Sequence, residues 1–125
     1  MREGLSAVIN AQPDMAVAGE ASDGKEAIQQ FKALQPDVSL LDWNLPMVRG
    51  EEVLTKLCTE FPNARFIVIT AVSEDDCIRR AMGLGAKAYL HKDMLRRELL
   101  PAIRAVCRGQ RYLPDKIANR LENYR

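Results

Sequence analysis

Apolar positions along the chain alternate between helical spacing and short continuous runs, and that alternation predicts an α/β fold with a mostly parallel sheet. Leu5, Val8 and Ile9 repeat as on one helix face, and Pro13-Asp14 ends that segment. Met15 to Ala21 reads as a strand weakened by Gly19, and Ser22-Asp23-Gly24 as a turn that starts a helix. Ala27, Ile28, Phe31 and Leu34 share one face of that helix, which Gln35-Pro36 stops. Val38 to Leu41 is a short buried strand ending at Asp42. Leu45-Pro46 opens a loop, and Gly50 leads into a helix whose face is Val53, Leu54, Leu57, Cys58 and Phe61. Phe66 to Ile69, followed by Thr70, is the clearest strand, continuous and β-branched. Ser73 and Asp76 have capping-box spacing before a helix facing inward through Cys77, Ile78, Ala81 and Met82, with its end at Gly83 or Gly85. Ala88 to His91 is a further strand. The last long helix carries Leu99, Leu100, Ile103, Val106 and Cys107, with Pro101 in its first turn and Gly109 at its end. Tyr112 onward starts one more short helix or a linker.

Composition narrows this little. The 125 residues fit one core, and 47% hydrophobic with 28% charged is an ordinary globular balance. A net charge of +1 gives no global field toward nucleic acid or an anionic membrane. No apolar run is long enough to span a membrane, and Met1-Arg2-Glu3-Gly4 lacks a signal-peptide core. Cys58, Cys77 and Cys107 are odd in number, at no metal-type spacing and inside helical apolar patterns. They are expected to be small buried hydrophobes, and the compartment a reducing cytoplasm.

The candidate chemistry lies at strand ends. Asp42, Thr70 and Lys92 fall at or near the carboxyl ends of three predicted strands, the edge where open parallel sheets bind ligands. A carboxylate can attack a phosphoryl group and hold it as an acyl phosphate. A lysine can neutralise the phosphate oxygens, and a hydroxyl can donate to one of them. Each residue has a plainer reading. Asp after a strand is commonly a turn or cap residue, Thr suits a strand for its shape, and a Lys beside Asp93 is commonly a solvated loop charge. The ordered set, one residue per strand end, favours the chemical reading.

The run Pro36-Asp37-Val38-Ser39-Leu40-Leu41-Asp42-Trp43-Asn44-Leu45-Pro46, with Gly50 after it, resembles the signature around the phosphorylated aspartate of response-regulator receiver domains. Ile67-Val68-Ile69-Thr70-Ala71 is similar to the family's switch-threonine strand, and Gly85 to Asp93 to its final strand with the lysine. Gly19 to Gly24 and Gly109 to Pro114 resemble the NarL/FixJ group, whose receivers precede a LuxR-type helix-turn-helix.

The resemblance implies a flavodoxin-like doubly wound sheet, with the receiver at 1–109 and 110–125 as a tail or linker toward a DNA-binding domain after Arg125. It implies that Asp42 accepts phosphate from a sensor histidine kinase, that Lys92 and Thr70 stabilise it, and that Thr70 and Tyr89 form the switch. Ala71 would leave the phosphate accessible. Asn44 would line the site and, with Asp42, offer Mg²⁺ a ligand through its backbone carbonyl. Tyr89 is equally explained as core packing, whereas His91 is expected as a strand-end polar residue rather than a phosphodonor. A homodimer is also implied, through either the fourth- and fifth-helix face or the first- and last-helix face. DNA contact would come only through the further domain.

Receivers of this family begin with a central strand and an acidic pair that binds Mg²⁺. These 125 residues start inside the first helix, so a longer natural protein is expected, and residues 15–21 should lack their neighbour in the sheet. Two other functions are open to such a chain: a non-phosphorylated dimerisation or docking module, and a small phosphotransfer enzyme. The order Asp42-Trp43-Asn44 lacks the second acid of haloacid-dehalogenase-type phosphatases, and there is no glycine-rich phosphate loop. The expectation is therefore a signalling module, not an enzyme.

Overall fold

A computed structural model of the chain describes residues 2–44, 47–71 and 75–123. The helices are α1 (Arg2–Asn10), α2 (Gly24–Leu34), α3 (Gly50–Glu60), α4 (Asp75–Leu84), α5 (Leu95–Cys107) and α6 (Asp115–Asn123). The strands are β1 (Ser39–Asp42), β2 (Phe66–Thr70) and β3 (Ala88–His91), and a 3₁₀ turn, Lys92–Met94, joins β3 to α5. The described strands form one parallel sheet in the order β1-β2-β3. Leu41, Val68 and Tyr89 are aligned across it, as are Asp42 with Ile69 and Thr70 with His91.

The alternation of a pleated strand sends neighbouring side chains to opposite faces, so the sheet feeds two cores. Leu41, Phe66, Val68 and Tyr89 meet Val53, Leu54 and Leu57 of α3 and Ile78 and Ala81 of α4 on one side. Ile67, Ile69, Ala88 and Leu90 meet Leu99, Ala102, Ile103 and Val106 of α5 on the other, with Leu5 and Ile9 of α1 against them. Burial on both faces is why β2 reads as an uninterrupted apolar run. Among the described residues no helix is long and apolar enough to cross a membrane.

The start of α2 is fixed locally. The Asp23 carboxylate accepts from the Glu26 amide at 2.8 Å, and the Ser22 hydroxyl donates to the Glu26 carboxylate at 2.9 Å. The first bond satisfies an amide that a helix start leaves open, and the second ties the Glu26 side chain back to the preceding turn. At its other end Gln35 takes the left-handed conformation, with φ 43°. Gly85, with φ 121°, closes α4, as one of the two expected glycines. The loop at Leu45-Pro46 and the cap at Ser73 lie outside the described residues.

Several expectations need correction. Residues 15–21 form no strand; Met15 and Val17 are half-buried, Ala16 and Ala18 exposed, and no ladder pairs them. A strand needs a partner for its backbone, and the described sheet offers this segment none. Pro101 is the seventh residue of α5, because the helix starts at Leu95. Proline forfeits a hydrogen bond there, and its ring is exposed. Leu34 is exposed, Cys58 and Cys77 are half-buried, and Cys107 is exposed. Burial pushes the Cys58 thiol up, and the Lys87 charge partly opposes that. The end of the chain is held to the body: the Tyr112 amide donates to Lys87 O, Tyr112 bridges Ala88, and Ile117 of α6 sits in the core shared with α4.

Candidate functional site

Asp42, Thr70 and Lys92 come from β1, β2 and the turn after β3, and the parallel register brings all three to the carboxyl edge of the sheet. Asp42 is aligned with Ile69, so Thr70 stands one residue beyond it on the next strand. The Trp43 amide donates to Ile69 O at 2.9 Å and carries the β1–β2 pairing past Asp42. The Asp42 carboxylate is gripped from two directions. Lys92 Nζ lies 3.4 Å from Oδ2, and the Asn44 amide donates to Oδ1 at 3.0 Å. The carboxylate and the ammonium group are each about one-third exposed, so the pair is open to solvent and to an incoming group. A pair this open stabilises the fold little.

Thr70 is buried, the one buried polar residue among the described core positions. Tyr89 is fully buried and belongs to the core that contains Val68, Ile78 and Ile117. Ala71, just past β2, is exposed. Asn44 is at the site, but it is its backbone amide that touches Asp42.

Gly50 explains its own place in the motif. A Cβ there would lie 2.7 Å from Trp43 Cα, 2.8 Å from Trp43 O and 2.9 Å from Asp42 O. Only glycine lets the start of α3 press against the backbone that carries Asp42, and the Gly50 amide donates to Trp43 O at 3.2 Å. Trp43, Asn44, Arg49 and Glu51 line a shallow depression beside Asp42, and Glu51 is paired with Arg80 of α4. This pairing has no signature along the chain, because the two residues are brought together only by the packing of α3 on α4.

His91, expected as a strand-end polar residue, ends β3 at this same edge. Its ring nitrogen Nε2 is 2.8 Å from Ala71 O, and Nδ1 accepts from the Asp93 amide at 3.1 Å. Its position immediately before Lys92 and across from Thr70 was the available signal for these contacts.

Mg²⁺ is held by oxygen donors, commonly one or two carboxylates with waters and a phosphate. Among the described residues no three His, Cys, Asp or Glu side chains converge. Asp42 already faces Lys92. The described donors therefore do not make a magnesium site by themselves.

The family model for the response regulator receiver domain matches residues 1–104. The chain is 40% identical over 110 residues to the transcriptional regulatory protein YxjL of Bacillus subtilis, which covers 88% of this chain and 50% of that protein. It is 34% identical to the nitrate/nitrite response regulator NarL of Escherichia coli K12, over 94% of this chain and 54% of NarL. The chain thus spans about half the length of these curated relatives. A LuxR-family two-component response regulator from Aurantimonas superposes with a TM-score of 0.93 at 29% identity, over 98% of this chain and 88% of that one.

Proposed function

From the premise that the chain belongs to the response regulator receiver domain family, we propose that it is the phosphoacceptor module of a two-component transcription regulator, with Asp42 as the acceptor. A receiver is a signalling module and not an enzyme. The single observation that carries the reading is the Asp42–Lys92 pair at the sheet edge, with Thr70 ending the strand between them.

In the proposed step a carboxylate oxygen of Asp42 attacks the phosphorus of a kinase phosphohistidine. The new O–P bond forms as the P–N bond breaks, and the departing imidazole nitrogen keeps the electron pair and takes up a proton. Lys92, already beside the carboxylate, would then face the phosphoryl oxygens and offset their charge. Thr70 would move to donate its hydroxyl, and Tyr89 would fill the space it leaves. This is a local charge event acting on a packed core with two arrangements. Ala71 leaves the approach clear, and Asn44 lines it. Receivers typically bind Mg²⁺; Asp42 and the Asn44 backbone carbonyl would be this chain's contribution, and no step here is routed through the metal.

Residues 1–109 would be the receiver, and 110–125 the exit toward a DNA-binding domain, as in a NarL-type regulator. A sensor histidine kinase, a second copy of the chain and, through that further domain, DNA are the proposed partners, in the cytoplasm. The lack of three converging acids among the described residues favours a second reading, a receiver-like dimerisation or docking module that is not phosphorylated.

The two readings separate on labelling. With a small phosphodonor and Mg²⁺ the chain should label slowly and Asp42→Asn should not label. Label that survives Asp42→Asn removes Asp42 from the role. Dimerisation indifferent to beryllofluoride and Mg²⁺, with no labelling, leaves the docking reading.

A further inference from the structure

We infer that His91 is a positioning residue for the Asp42 site, its imidazole tying the end of β2 to the end of β3 so that Thr70 and Lys92 are held in mutual register. The structural part rests on geometry alone; the functional part rests on the phosphoacceptor reading of Asp42.

The β2–β3 ladder ends at the aligned pair Thr70 and His91. Ala71 follows immediately, just past the end of the strand pairing, where its carbonyl is open to a side-chain donor. The ring supplies it through Nε2 at 2.8 Å. On its other side Nδ1 accepts the Asp93 amide, which caps the 3₁₀ turn Lys92–Met94. Lys92 therefore sits between two residues fixed by one rigid ring, and Thr70 sits directly before the carbonyl that this ring holds. The His91 side chain is 20% exposed, so the ring itself is largely packed, while its two partners, Ala71 and Asp93, lie at the surface.

The Nδ1 contact assigns the proton. A nitrogen that accepts from the Asp93 amide carries no hydrogen, so Nε2–H is the donor to Ala71. The Asp93 carboxylate is 3.3 Å from Nδ1, but that side chain is almost wholly exposed. Were Nδ1 protonated and turned to this carboxylate, Nε2–H would still donate to Ala71. The tie between the strands does not depend on the ring's charge.

Two substitutions separate the two ends of the ring. His91→Gln can place an N–H where Nε2 stood, whereas His91→Asn reaches only the Nδ1 side. In isotope-labelled chain, the Ala71 carbonyl shift should move in His91→Asn and His91→Ala and stay near its original value in His91→Gln. Amide exchange at Thr70, the last residue of the β2–β3 ladder, should rise about threefold to tenfold in the first two, the size of one lost hydrogen bond. The Asp93 amide should behave in reverse, protected in His91→Asn and released in His91→Gln. An Ala71 carbonyl indifferent to all three changes, or one that moves equally in Gln and Asn, overturns the inference.

The initial rate of Asp42 labelling by acetyl phosphate should fall about threefold to tenfold in His91→Asn and stay within about twofold in His91→Gln. If the parent chain labels and His91→Asn matches it, positioning by His91 is wrong while Asp42 stands. If the parent chain does not label at all, the phosphoacceptor reading fails, and the carbonyl and amide measurements still decide whether the tie exists.

Discussion

Residues 15–21 and strand β2 both carry strand-like sequence, yet they end in different states. Met15 and Val17 turn inward and Ala16 and Ala18 outward, the period of a strand. The segment has no ladder, and its Val17 amide is taken up by the Asn10 side chain at 3.0 Å. β2 is paired on both sides, and all five of its residues are buried. The difference lies in partners more than in side chains. A strand's stability belongs to the sheet that receives it, and Asp42, Thr70 and Lys92 stand at the ends of strands that the sheet has received.

The widest separation should come from cutting side chains. Ile67→Ala should cost about 3 kcal/mol, whereas Val17→Ala should cost less than about 1 kcal/mol, because only the first opens a cavity in a packed core. Urea unfolding of the two variants checks this. Similar costs would mean that residues 15–21 are packed as firmly as β2. Gly50→Ala comes next, at about 2 kcal/mol, since a methyl group there meets backbone and cannot be relieved by a rotamer change.

At the opposite edge of the sheet Tyr112 bridges Ala88 and bonds Glu98. That bond, helped by burial and the Glu98 charge, raises the Tyr112 phenol from 10.0 to about 12. Tyr112→Phe should cost about 1 kcal/mol at neutral pH. The phenol binds its proton more tightly in the folded chain, so its contribution is complete below pH 10.0. It should fade as pH rises from there to about 12. A gap between parent and variant that grows over that range contradicts the assignment. The smallest effect should be on Asp42→Asn, within about 1 kcal/mol by thermal or urea unfolding, because its pair with Lys92 is solvent-exposed.

Much of this was legible in the chain. The apolar run Phe66-Ile67-Val68-Ile69 located β2, and the strand ends located Asp42, Thr70 and Lys92 at one edge. Periodicity alone read residues 15–21 as a strand, and only the family resemblance pointed to their missing neighbour, since pairing is a property of the assembled sheet. Periodicity could not place Pro101, because the start of α5 is set by the turn that His91 caps. His91 itself looked like an ordinary polar strand end; its second contact, to Ala71, spans 20 residues and exists only after β2 and β3 align. The loss at Gly50 of any room for a methyl group was equally invisible, though glycine in the motif hinted at it.

The most direct measurement is peptide mapping after borohydride reduction of chain treated with acetyl phosphate and Mg²⁺, since hydride converts an aspartyl phosphate to homoserine. The predicted result is homoserine at position 42 alone, in low yield, and none in Asp42→Asn. Homoserine at another position, or none at position 42 in the parent chain, would contradict Asp42 as the acceptor.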